Sequence, residues 1–134
     1  MRTAMIIDRM FVEELEAGKE LNLLIGEHVM GWKQGRSEKT SQSPFSYSYT
    51  IHNMFDPSNV WKDTLSVIDA IRRSMTVNIQ FDPIGVVCFI TPIGQVTDLS
   101  DHRVYLLFNR NVSLVVCRTA LWAVYAEKHL GEQP

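Results

Sequence analysis

Residues 114–125 read Leu114-Val115-Val116-Cys117-Arg118-Thr119-Ala120-Leu121-Trp122-Ala123-Val124-Tyr125. Wound as a helix, this stretch is apolar nearly all round and leaves little polar face before Glu127. Asn109 or Asn111 can supply the side-chain oxygen that caps its start, and Gly131 follows its end near Leu130. A helix of this kind is buried on more than one side, either within its own domain or against another subunit. The remainder of the chain must therefore supply elements to surround it.

Working outward, the residues before this helix read as strands. Residues 104–108 form one candidate. Val77, Ile79 and Phe81 alternate with Asn78 and Gln80, the turn Asp82-Pro83-Ile84-Gly85 follows, and residues 86–90 are an apolar run, a pattern that predicts a hairpin. Upstream, Asp56-Pro57-Ser58 introduces a second helix with Ser58 as its cap and Val60, Trp61, Thr64, Leu65, Ile68 and Ile71 as its apolar stripe; Arg72 and Arg73 fall in the last turn. Residues 8–30 predict a first helix, with Glu13, Glu14 and Glu16 in its early turns and Leu15, Leu21, Leu24 and Ile25 recurring at three- and four-residue intervals. Gly18 and Gly26 each cost such a helix about 1 kcal/mol relative to alanine, so the helix either packs closely there or bends. Gly31 stops it.

Between these helices, residues 33–43 lack apolar periodicity and predict a flexible loop. Residues 45–52 then alternate strictly, with Phe45, Tyr47, Tyr49 and Ile51 on one side, the period of a half-buried strand. The expected fold is α+β, a small antiparallel sheet flanked by helices on both faces (an α/β/α sandwich), in a single domain spanning residues 1–134. Apolar helix or strand surfaces would assemble it into a symmetric homo-oligomer.

Composition agrees with one ordinary domain. The chain has 134 residues, 46% hydrophobic and 21% charged, and its 13 basic against 15 acidic residues leave a net charge of -2. That balance argues against a general nucleic-acid binder, which needs an excess of cations to neutralise phosphates. Asp8 and Arg9 interrupt the first apolar residues before a secretory leader can form, and no stretch approaches the roughly 20 apolar residues of a membrane span, so a cytoplasmic protein is expected. Cys88 and Cys117 sit in apolar runs without Cys-x-x-Cys spacing, and the four histidines lack metal-ligand spacing, so no metal and no cofactor is expected.

Four features bear on binding. Lys33, Arg36 and Lys39, interleaved with Ser37, Thr40 and Ser41, could close over an anion, although the second glycine of a true phosphate loop is missing. Trp32, where the first helix meets that loop, can stack on a planar ligand or anchor the helix end. Tyr47 and its aromatic neighbours can line a ligand, a core or an interface. Arg118, inside an apolar helix, requires either an anionic ligand or a carboxylate such as Glu14, Glu20 or Glu27.

Residues 16–33, Glu-Ala-Gly-Lys-Glu-Leu-Asn-Leu-Leu-Ile-Gly-Glu-His-Val-Met-Gly-Trp-Lys, resemble the opening of the phage ABA-sandwich domain family, a helix of the form A-G-x-E-L-(D/N)-x-L-(V/I)-x-E-x-V-M-G-W. The helix begun at Ser58, and Val116-Cys117-Arg118-Thr119-Ala120-Leu121-Trp122-Ala123-Val124 against the pattern I-C-R-A-A-L-x-A-V, extend the resemblance over most of the chain. Residues 45–56 are longer and more aromatic than the family's Pro-x-Tyr-Ser link, and Val60 stands where the family often has Asp, which alters any site that Asp serves in relatives. The resemblance implies a three-layer α/β fold and a phage origin, with no settled activity. Combined with the basic loop beside Trp32, it leads to the expectation of a non-enzymatic phage accessory protein. Such a protein would sequester a small anionic, nucleotide-type host immune signal, with Lys33, Arg36 and Arg118 on phosphates and Trp32 or Tyr47 on the base. A protein-interaction module without a small ligand is the alternative, and a nucleotide hydrolase ranks third.

Overall fold

The computed structural model describes residues 6–32, 55–93 and 104–130. The elements are α1 (Arg9–Glu13), α2 (Lys19–Leu24) running directly into a π-helical segment (Ile25–Val29), α3 (Trp61–Ile71), β1 (Met75–Asp82), β2 (Gly85–Pro92), β3 (Tyr105–Asn109) and α4 (Val112–Lys128). The three strands form one antiparallel sheet in the order β1-β2-β3. This is the expected α+β class, a small antiparallel sheet packed against helices in one compact domain.

The long helix α4 is the hub. It packs on β2 and β3 with one side and on α3, the π segment and α1 with others. Val115, Val116, Cys117, Ala120, Leu121 and Ala123 are each fully buried, the all-round burial that the lack of a polar face requires. The covering therefore comes from within the domain. Asn111 caps the helix through its side-chain oxygen, which accepts from the Leu114 N–H at 3.1 Å, and the helix ends at Lys128, two residues before the expected end.

The sheet meets α4 through alternate residues of its central strand: Val86, Cys88 and Ile90 are buried, and Leu107 and Tyr105 sit opposite Cys88 and Ile90. This is the face for which the described residues supply a covering layer. On the reverse face, Val87 and Phe89 are half-buried and Leu106 and Phe108 exposed. The hairpin falls at Asp82-Pro83-Ile84-Gly85 as its turn residues predict, and the Asp82 carboxylate accepts from the N–H groups of Ile84 and Gly85, each at 3.1 Å. Gly85 leaves room for the Phe108 ring across the β2–β3 pair, and a Cβ there would force that exposed ring to move.

Three helix expectations need correction. The first helix is not continuous over residues 8–30. It ends at Glu13 and resumes as α2 only at Lys19, after Gly18, whose φ of +144° is costly for any residue with a Cβ. Ser58 does not cap α3: Val60 occupies the cap position, and Ser58 is fully buried and points back toward α2. The apolar stripe of α3 is also turned from the expected one. Thr64, Val67 and Ile71 face the core, whereas Val60, Trp61 and Leu65 are exposed.

Candidate functional site

Met30 marks the end of a widened turn. Its N–H donates to the Ile25 carbonyl at 2.9 Å, five residues back, and after Gly31 (φ +80°) the Trp32 N–H donates to the Gly26 carbonyl at 2.9 Å. Only glycine adopts that Gly31 conformation without strain. Single π turns of this kind commonly occur where a helix is reshaped for a site. Here the widening directs Val29 and Met30 toward α3, and between them lies an open groove of about 870 Å³. Leu65 and Ile68 continue its apolar lining, and Arg72 and Arg73 bring two guanidinium groups to it. Arg72 Nε donates to the Asp69 carboxylate at 2.8 Å on the exposed side of α3, which leaves the groove with one net positive charge among these three groups.

Trp32 is half-buried just past the groove, with its ring edge-on to Phe55 at a centroid distance of 5.0 Å. Its backbone bond to Gly26 and this contact fasten the helix end to the segment that leads into α3. Phe55 is followed by the best-connected polar cluster of the described residues. Asn22, on α2 and almost fully buried, accepts at Oδ1 from the Ser58 N–H (3.1 Å) and the Ser58 hydroxyl (2.8 Å), and its Nδ2 donates to Asp56 Oδ1 (2.8 Å). Ser58 Oγ accepts the Gly18 N–H at 2.9 Å, which ties the break before α2 to the approach to α3. Asp63 Oδ2 accepts from the Asp56 N–H at 2.8 Å, and the buried Thr64 hydroxyl donates to the Pro57 carbonyl at 2.6 Å, with the Ser113 hydroxyl 2.8 Å away. The groups of this cluster bond one another across the two elements, so its chemistry is that of a clamp that ties α2 to the approach to α3 beside the groove.

Arg118 stands at the other end of the α2 run. Its Nε donates to the Leu15 carbonyl at 2.8 Å in the α1–α2 link. The bonded partner is this backbone carbonyl and not Glu14, Glu20 or Glu27, the carboxylates expected from the sequence. Partial burial lowers its pKa, and the nearby charges of Glu13 and Glu16 oppose that shift. Arg118 thus attaches before the start of the α2–π run, through Leu15, and Trp32 after its end, through Gly26. Lys33, Arg36 and Tyr47, with the expected loop at 33–43 and the expected strand at 45–52, lie outside the described residues. The groove cations Arg72 and Arg73 were visible in the sequence only as residues suited to a helix end; their adjacency, near a Met-Gly-Trp helix terminus, is the signal that could have marked them.

Other reactive groups are held back. Burial pushes the Cys88 thiol up to about 11, against a smaller opposing effect of the Thr119 hydrogen bond. Cys117 is driven higher still, first by burial and then by the charges of Asp56 and Cys88. Both therefore stay protonated and act as packing groups between α4 and the sheet. Among the described residues, no group of three or more His, Cys, Asp or Glu side chains is placed to hold a metal ion, and no helix is long and apolar enough to cross a membrane. No protein-family model, curated protein or solved structure matches this chain.

Proposed function

We propose that this chain is a non-enzymatic accessory protein of phage type, which takes up a small anionic, nucleotide-type host immune signal in the bacterial cytoplasm and holds it unaltered. The observation that supports this reading is the groove between the π segment and α3. Its volume falls within the range of small-molecule sites, and it joins an apolar wall of Val29, Met30 and Ile68, suited to a planar base, to the guanidinium groups of Arg72 and Arg73, suited to phosphates. The loop cations Lys33 and Arg36 follow Trp32 directly in sequence and belong to the same reading.

The test is depletion. The purified protein is incubated with a panel of cyclic nucleotides and ADP-ribose derivatives, the free ligand is measured, and the protein is then heated to release what it holds. Intact recovery agrees with sequestration, an altered product points to a hydrolase, and no depletion across the panel refutes both. Arg73→Ala should weaken uptake about tenfold or more, the worth of one charge-assisted hydrogen bond. Exposure of Trp61 and Leu65 on α3 supports a second reading, in which the chain binds a protein and takes no small molecule.

A further inference from the structure

The outward side of α3 is unusual for a helix docked in a domain. Trp61 is 41% and Leu65 47% exposed, while the core side of the same helix is closed by Thr64, Val67 and Ile71. At 100° per residue, Trp61, Arg72, Leu65, Asp69 and Lys62 fall in that angular order within one exposed sector of about 100°. Leu65 is at its middle, Trp61 and Arg72 lie on one flank, and Lys62 and Asp69 lie on the other.

This arrangement complements itself. When a second α3 is laid antiparallel across the first on a two-fold axis near Leu65, Leu65 meets Leu65. Lys62 comes level with the second copy's Asp69, and Trp61 comes beside the second copy's Arg72; symmetry repeats each pair. A carboxylate then faces an ammonium twice, and an indole faces a guanidinium twice, around an aliphatic centre. The 2.8 Å contact from Asp69 to Arg72 favours a conformation in which the cation is offered to the indole. We propose that the outward face of α3 is a homodimer interface, with a second copy of this chain as its occupant. The pairing stands independently of any ligand. Its consequence for the groove is that the second copy's Trp61 lies over Ile68 and Arg72 at the rim, which would turn an open groove into one walled between two chains.

The helix is only 11 residues, about 16 Å long, and its face falls short of the roughly 800 Å² per partner of a standard stable interface. The dimer is accordingly weak and reversible, and is read by sedimentation velocity over a wide concentration range, with the wild-type mass rising toward twice that of one chain. Lys62→Asp and Asp69→Lys each turn two attractive pairs into two repulsive ones, and each should weaken dimerisation about tenfold at unchanged melting temperature. Mixed in equal amounts, the two variants carry complementary faces and should recover the association that each lacks alone. Leu65→Asp, at an exposed position, should leave a folded monomer. A wild type that stays monomeric throughout, charge variants that dimerise like the wild type, or a mixture that fails to recover would overturn the proposal. Ligand depletion by the Lys62→Asp variant, held at a concentration where it is monomeric and altered at a residue outside the groove lining, separates failure of the dimer from failure of the sequestration reading.

Discussion

Replacing Asn22 by alanine removes a side chain that satisfies three polar contacts in the α2–α3 clamp. The Ser58 N–H, in a fully buried residue, loses its 3.1 Å acceptor, and a buried donor left unmatched costs about 1–3 kcal/mol. The 2.8 Å bond from Nδ2 to Asp56 is charge-assisted, but Asp56 is only half-buried and keeps contacts from the Asn59 amide at 3.2 and 3.3 Å, so its loss adds about 1 kcal/mol. The Ser58 hydroxyl, deprived of its acceptor at 2.8 Å, still receives the Gly18 N–H. The total is about 3 kcal/mol, or a fall of about 10 °C in melting temperature for a domain of this size. Urea unfolding of Asn22→Ala, Ser58→Ala and the double variant supplies the comparison, and the cycle should show coupling of about 1 kcal/mol or more, since the two residues share their bonds. Asn59→Ala, which touches only the exposed side of Asp56, should cost less than about 1 kcal/mol. A loss below about 1 kcal/mol for Asn22→Ala, or additive behaviour of the pair, would refute the view that this cluster fastens α2 to α3.

Three further outcomes follow from the same structure. Gly85→Ala pushes a methyl group against the far end of the exposed Phe108 ring, which can swing aside, and should destabilise the fold by no more than about 1 kcal/mol, relieved in the double variant with Phe108→Leu. His28 has a pKa below its ordinary value of 6.5, first through burial, with the cations Lys128 and His129 adding to the shift and Glu27 opposing it. The unfolded chain therefore binds the proton first, stability falls as pH drops below about 6.5 and levels off beneath the folded pKa, and His28→Gln should flatten that part of the pH–stability curve. Cys88 and Cys117 should resist a thiol reagent at neutral pH in the native protein and react together once it is unfolded in urea; fast labelling of either in the native state would contradict their burial.

The elements that were legible in the sequence are those whose cause is local. The β1–β2 hairpin follows from alternation and from Asp82 folding its carboxylate onto its own turn, and α4 from an apolar surface with an asparagine oxygen at its start. Misreadings arose where a side chain spends its hydrogen bond at long range. Ser58 has the chemistry of a cap, yet its hydroxyl serves Gly18 and Asn22, about 40 positions away in sequence. Val67 takes the place of Trp61 and Leu65 on the buried side of α3, beside the expected Thr64, whose hydroxyl finds the Pro57 carbonyl, a fit no periodicity reveals. Arg118 was rightly expected to need a partner, but backbone carbonyls occur at every residue and carry no sequence signal. The π turn that opens the groove has none either, whereas the glycine that ends it does.

The burial of α4 on several sides also constrains the order of events during synthesis. It follows every other described element in the chain, and α1, α3, β2 and β3 all rest on it. While α4 is still inside the ribosomal tunnel, the emerged helices and hairpin have their apolar faces open and nothing to close them against. Native packing must await the arrival of residues 112–128, and until they emerge the open apolar faces leave the nascent chain prone to association.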